Sequence, residues 1–105
     1  MSQKQYGTAT VNVDAEGYLT DLSQWTRDVA AAIAKEEGIA ELTPAHWKVL
    51  EYMQKEFRET GQAPSIRRLN KSGVTSTKEL YELFPGGPAK KAAKIAGLKK
   101  PEGCV

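Results

Sequence analysis

Cysteine and histidine are nearly absent: the 105-residue chain has one of each, Cys104 and His46. One cysteine excludes an intrachain disulfide, and one Cys with one His excludes the usual four-ligand zinc site. No metal is therefore expected, and a reducing, cytoplasmic setting is. No apolar run approaches the ~20 residues that span a bilayer, so membrane insertion is not expected. Residues 1–5 lack the apolar segment of a secretory signal. The familiar catalytic signatures are missing as well. There is no nucleophile elbow, Walker loop or metal-binding histidine pair, and Gly86-Gly87-Pro88 is not a phosphate cradle. No cofactor is expected.

What is present is an ordinary globular balance, 40% hydrophobic and 27% charged, at a length that suits one domain over residues 1–105. The net charge of +2 hides an asymmetry. Residues 1–60 hold six Lys/Arg against ten Asp/Glu, whereas residues 61–105 hold nine against three. An acidic partner or a nucleic acid is attracted to such a basic half, although the same split also suits two complementary faces of one fold.

Along the chain, Ala9, Val11 and Val13 alternate with polar neighbours, the period of a half-buried strand. Asp14-Ala15-Glu16-Gly17 reads as a turn, with Tyr18-Leu19-Thr20 returning as the partner strand. A first helix is expected over residues 25–37, capped by Ser23, carrying Trp25, Val29 and Ile33, and stopped by Gly38. The second starts at Thr43 as N-cap with Pro44 behind it, and Leu42 placed to staple onto Trp47. Trp47, Leu50, Met53 and Phe57 form its core stripe, and His46 in its first turn reads as a surface or packing residue. Residues 65–71 form a short third helix. Ser76-Thr77-Lys78-Glu79 is a capping box that opens a fourth, running to Pro85. Residues 89–96 make a short basic fifth helix that ends at Gly97.

These elements predict an α+β, mainly helical fold. A small N-terminal β-hairpin packs on an array of about five helices, and residues 97–105 form a mobile C-terminal arm. The arm carries Cys104 as the penultimate residue, with Lys99 and Lys100 close enough in sequence to favour the thiolate. The third and fourth helices around a Gly-containing turn also trace the outline of a helix-turn-helix. In that alternative, Arg67, Arg68, Lys71 and Lys78 would meet phosphates.

The ending Leu83-Phe84-Pro85-Gly86-Gly87-Pro88-Ala89-Lys90, then Lys94-Ile95-Ala96-Gly97-Leu98 and Lys100-Pro101-Glu102-Gly103-Cys104-Val105, resembles the DsrC/TusE family. That family contains the gamma subunit of dissimilatory sulfite reductase and the TusE sulfur carrier of tRNA 2-thiouridine synthesis. Upstream, Glu16-Gly17-Tyr18-Leu19, Ser23-Gln24-Trp25, Leu42-Thr43-Pro44-Ala45-His46-Trp47 and Pro64-Ser65-Ile66-Arg67 match in order. The resemblance implies a small sheet meander on a helical array, and a reactive arm whose Cys104 bears sulfur as a persulfide. It also implies Arg67, Lys71 and Tyr81 as contacts for an anion or for the docked arm. Tyr81 reads equally as a core residue, and the two cations as surface residues.

Two-cysteine members of the family carry a second cysteine where this chain has Ala93, so an intrachain sulfur bridge cannot form here. A cysteine restored at that position is expected to bridge to Cys104 on mild oxidation. The single cysteine resembles the TusE pattern, whereas Gly103-Cys104-Val105 resembles the dissimilatory one. The implied function is a sulfur carrier or sulfurtransferase component rather than a stand-alone enzyme. Its implied partners are a TusBCD- or DsrEFH-like donor and a sulfite reductase or tRNA thiolase acceptor. A helix-turn-helix regulator and a non-catalytic sulfite reductase-associated subunit are the alternatives.

Overall fold

In the computed structural model, which describes residues 2–99, a β-hairpin and a short 3₁₀ turn precede five helices. Strand β1 (Ser2–Tyr6) pairs antiparallel with β2 (Ala9–Val13), with Tyr6 opposite Ala9 across a two-residue turn. Gly7 is the first turn residue and has φ +63°, the sign that a type II′ hairpin turn needs there. The hairpin partner is thus the segment before the predicted strand, not the segment after it. Residues 18–20 contribute only an isolated bridge between Val13 and Leu19. The outer edge of β2 is satisfied in another way: the Asn12 N–H donates to Gln24 Oε1 at 2.8 Å, and Thr20 N–H donates to the Asn12 carbonyl.

Helix α1 (Arg27–Glu36) begins two residues later than the sequence suggests. Thr26 is its cap, accepting from Val29 N–H, while Ser23 lies in the 3₁₀ turn Leu22–Gln24 and donates its hydroxyl to Asp21. Trp25 consequently stands outside the helix. Helix α2 (Pro44–Thr60) starts as expected, and His46 is the residue that secures the start. Its Nδ1 accepts from Thr43 N–H at 3.0 Å, which leaves the ring proton on Nε2, 2.9 Å from the Leu83 carbonyl oxygen. The imidazole also meets Phe84 edge-on at 5.1 Å. His46 is therefore a packing residue that ties the start of α2 to the end of a later helix. The deepest α2 side chains are Val49, Leu50 and Met53, with Trp47 and Phe57 only half-buried at the margin.

Helices α3 (Ile66–Ser72) and α4 (Thr77–Leu83) are capped by Ser65 and Ser76, and each is seven residues long. Leu69 and Leu80 pin them to the core. Helix α5 (Pro88–Ile95) packs on α1, α2 and α4. The small side chains Ala30 and Ala34 of α1, and Ala89, Ala92 and Ala93 of α5, are fully buried, which lets helix axes come close. Lys91 donates to the Glu37 carbonyl at 3.0 Å and Lys94 pairs with the Glu37 carboxylate, so α5 also closes the end of α1. The fold is mainly helical α+β.

Candidate functional site

The end of α5 is where the described body stops, and three elements converge on it. Gly97 takes φ +77° and donates to the Lys94 carbonyl, and the Leu98 N–H donates to the Ala93 carbonyl at 2.9 Å. This is the Schellman pattern, with Leu98 buried at 1% exposure as its apolar partner. The two carbonyls left over at the helix end are taken by side chains from elsewhere. Trp25 Nε1 donates to the Ile95 carbonyl at 2.8 Å, and buried Gln54 donates to the Ala96 carbonyl at 2.8 Å. A Cβ on Gly97 would lie 2.6 Å from Trp25 Cδ1, so only glycine lets the indole lie so close.

Magnitudes explain why so many groups gather here. Fixing the backbone of residues 97 and 98 costs about 2–4 kcal/mol. Burying Leu98 returns about 1.5–3 kcal/mol, and the two cap bonds about 0.5–1.5 kcal/mol each. The surplus is small, so the bonds from Trp25 and Gln54 decide whether the end holds. The packed body therefore runs through Leu98, two residues into the arm expected from Gly97. Lys99 is exposed beyond it. Cys104 and Lys100 lie outside the described residues. Ala93 has no exposed surface, so a cysteine there would face the interior rather than a passing arm.

A second zone lies on α3. Arg67 and Lys71, four residues apart and both exposed, line one open groove with Ser65, Arg68 and Ser72. The lining holds three cations and two hydroxyls and no carboxylate. Arg68 is held from behind: its Nε donates to Glu56 Oε1 at 2.9 Å, and the same oxygen accepts from the Tyr52 hydroxyl at 2.6 Å. The Tyr52 bond first and Arg68 second hold the Glu56 carboxyl below its ordinary range, and the same bond raises the Tyr52 hydroxyl. Tyr81, on the neighbouring α4, is 48% exposed and so does not serve as a core residue. It does not line the groove. The structure thus brings Arg67 and Lys71 together and leaves Tyr81 and Lys99 apart from that groove.

The helix-turn-helix outline exists as α3, a four-residue turn and α4, but its chemistry is poor for DNA. The exposed side of α4 carries Lys78 against Glu79 and Glu82, so the would-be reading helix presents more negative than positive charge to phosphate. Among the described residues, no group of three or more His, Asp or Glu side chains is placed to hold a metal ion, and no helix is long and apolar enough to cross a membrane. Sequence reasoning misses Gln54 and misplaces Trp25. A glutamine on the apolar side of α2 is the available signal, since a buried amide needs a partner.

Comparison with known proteins shows the family and the fold. The DsrC family profile, described as DsrC like protein, matches residues 5–105. The chain is 38% identical over 105 residues to the dissimilatory-type sulfite reductase subunit gamma of Nitratidesulfovibrio vulgaris Hildenborough, covering all of both chains. It is 45% identical over 102 residues to the sulfurtransferase TusE of Escherichia coli CFT073, covering 90% of this chain and 93% of that one. The NMR structure of Allochromatium vinosum DsrC superposes with a TM-score of 0.84 at 38% identity, covering 98% of this chain and 97% of that one.

Proposed function

The chain belongs to the DsrC-like family, and from that premise we propose that it is a sulfur carrier whose working atom is the Cys104 sulfur. The observation that carries this reading is the chain's only thiol, at the penultimate position of a sequence similar along its length to DsrC and TusE relatives. The Cys104 thiolate attacks the outer sulfur of a donor persulfide. A new S–S bond forms at Cys104, the donor's S–S bond breaks, and the donor leaves as a thiolate. The acceptor thiolate then takes the same outer sulfur, and Cys104 returns as a thiolate. Neither step needs an external oxidant or a cofactor.

Lys99 and Lys100, adjacent to the arm's start, favour the thiolate. Arg67 and Lys71 offer their groove to acidic groups of a partner or of the docked arm, and exposed Tyr81 adds apolar contact area. A cytoplasmic relay between a persulfide donor protein and a sulfite reductase or tRNA thiolase acceptor is the setting this chemistry suits.

Intact mass tests the reading. Incubation with a small-molecule persulfide should add one sulfur, about 32 Da, to the chain. A thiol reductant should remove it, and Cys104→Ser should never acquire it. Absence of the adduct under conditions that load a TusE protein would overturn the proposal.

A further inference from the structure

We infer that the groove on α3 is a site for a doubly charged tetrahedral oxyanion of the phosphate or sulfate class, with Arg68 as its fixed donor and Tyr52 and Glu56 as the residues that position Arg68. This rests on the carrier reading only for the groove's openness to acidic groups, whose class it names; nothing in it requires sulfur on Cys104. Lys71 lies three residues beyond Arg68 and four beyond Arg67, so on a helix it neighbours both. All three line the groove, together with Ser65 and Ser72. Ser65 Oγ accepts from the Arg68 N–H, and its own proton has no acceptor among the described residues, whereas Ser72 spends its proton on the Leu69 carbonyl. Arg68 is paired with Glu56, but Arg67 and Lys71 form no ion pair among the described residues, so two positive charges stand uncompensated. One carboxylate would answer only one of them. A dianion answers both, and its oxygens suffice for a guanidinium fork, an ammonium and a hydroxyl.

Arg68 differs from its two neighbours in being held. Its Nε donates at 2.9 Å to Glu56 Oε1, the oxygen that also accepts from the Tyr52 hydroxyl at 2.6 Å, and Glu56 is only 6% exposed. That bond occupies one nitrogen of the guanidinium, and the two terminal nitrogens have no partner among the described residues. A fork oriented before the ligand arrives loses little rotamer freedom on binding, whereas Arg67 and Lys71 are ordered by the ligand itself. The groove has a volume of about 470 Å³, within the range of small-molecule sites, so it has room for more than a bare ion. A long polyanion fits less well. The exposed side of α4 sets Glu79 and Glu82 against Lys78, which confines the favourable field to α3. The ligand is therefore compact, either the free ion or the terminal phosphate of a small molecule.

NMR titration of the full chain with inorganic phosphate, against chloride at equal ionic strength, reads the site. Phosphate should give saturable shifts confined to residues 65–72 and the Arg68 Nε–H, sulfate should compete, and acetate should bind at least about tenfold more weakly. A nucleoside monophosphate compared with free phosphate separates the two sources: equal affinity identifies the free ion, and tighter binding identifies a terminal phosphate. Arg68→Lys keeps the charge but loses the fork, and should weaken phosphate binding about 3–10-fold. Glu56→Met provides a test of opposite sign. It removes a negative charge behind the groove, so a diffuse positive field would hold phosphate more tightly. Loss of the brace on Arg68 should instead weaken binding at least about threefold. If Glu56→Met does not fold, Arg68→Lys, a surface change, decides alone. Shifts that spread over the other surface lysines or never saturate, parent-like binding by Arg68→Lys, or tighter binding by folded Glu56→Met would each overturn the inference. A chain that loads sulfur but binds no phosphate counts against this site alone, and one that binds phosphate but loads no sulfur counts against the carrier reading alone.

Discussion

Replacing Gly97 with alanine tests the end of α5 at its tightest contact. Two costs add. The backbone at φ +77° is one that L side chains rarely adopt, worth about 1–2 kcal/mol. The new Cβ would also sit 2.6, 3.0 and 3.1 Å from the Cδ1, Cγ and Cβ of Trp25, so the indole has to move. Moving it lengthens or breaks the bond from Nε1 to the Ile95 carbonyl, a further loss of about 0.5–1.5 kcal/mol. The sum is about 1.5–3.5 kcal/mol. With a urea slope of about 1.5 kcal/mol/M, the midpoint should fall by roughly 1–2.3 M. Gly73→Ala is the control: its φ is +81°, and a Cβ there meets nothing within 4 Å, so it carries the backbone cost alone. Tryptophan emission during urea unfolding reads both variants and, through Trp25, the displacement itself. If Gly97→Ala costs no more than Gly73→Ala, the indole does not press on residue 97 and the account of the helix end is wrong.

Glu56 gives a pH prediction with a definite sign. Its folded-state carboxyl is held below the ordinary 4.5 by Tyr52 and Arg68, so its contribution is full above about pH 4.5 and fades as pH falls through the lower folded value. The stability gap between the parent and Glu56→Gln, measured by urea midpoints from pH 7 to 3, should narrow below about pH 4.5; a gap independent of pH would contradict it. Ala93→Cys puts a thiol where no surface is exposed, so it should react with a disulfide reagent at least about tenfold more slowly in the native protein than in the urea-unfolded chain. Bridging between that introduced thiol and Cys104 should accelerate when mild urea opens the end of α5, and equally fast bridging without urea would show that position 93 is open to the arm.

How much of this can be read from residues alone depends on where each signal is stored. The start of α2 is legible because Thr43 and Pro44 are local chemistry, and so is the start of α4 through Ser76 and Glu79. Strand β1 is not legible. Its sequence, Ser-Gln-Lys-Gln-Tyr, has no apolar alternation, and it is a strand because β2 and the flank of α1 hold it, with Lys4 pairing to Glu36. Ser23 and Thr26 are equally good caps on paper; Asp21 engages the first and frees the second to start α1.

The same division runs through the candidate site. Cys104 and the cations Arg67, Lys71, Lys99 and Lys100 stand out in sequence because charge and thiol chemistry belong to single residues. Trp25 and Gln54 do not stand out, because their roles exist only when residues 70 and 42 positions away present bare carbonyls. In the sequence Trp25 looks like one more apolar member of α1, and Gln54 like a polar interruption of the α2 stripe. The fold turns both into donors aimed at one helix end. Chemistry that belongs to single residues can be found in the sequence, whereas the side chains that hold the end of α5 are found only once the chain is folded.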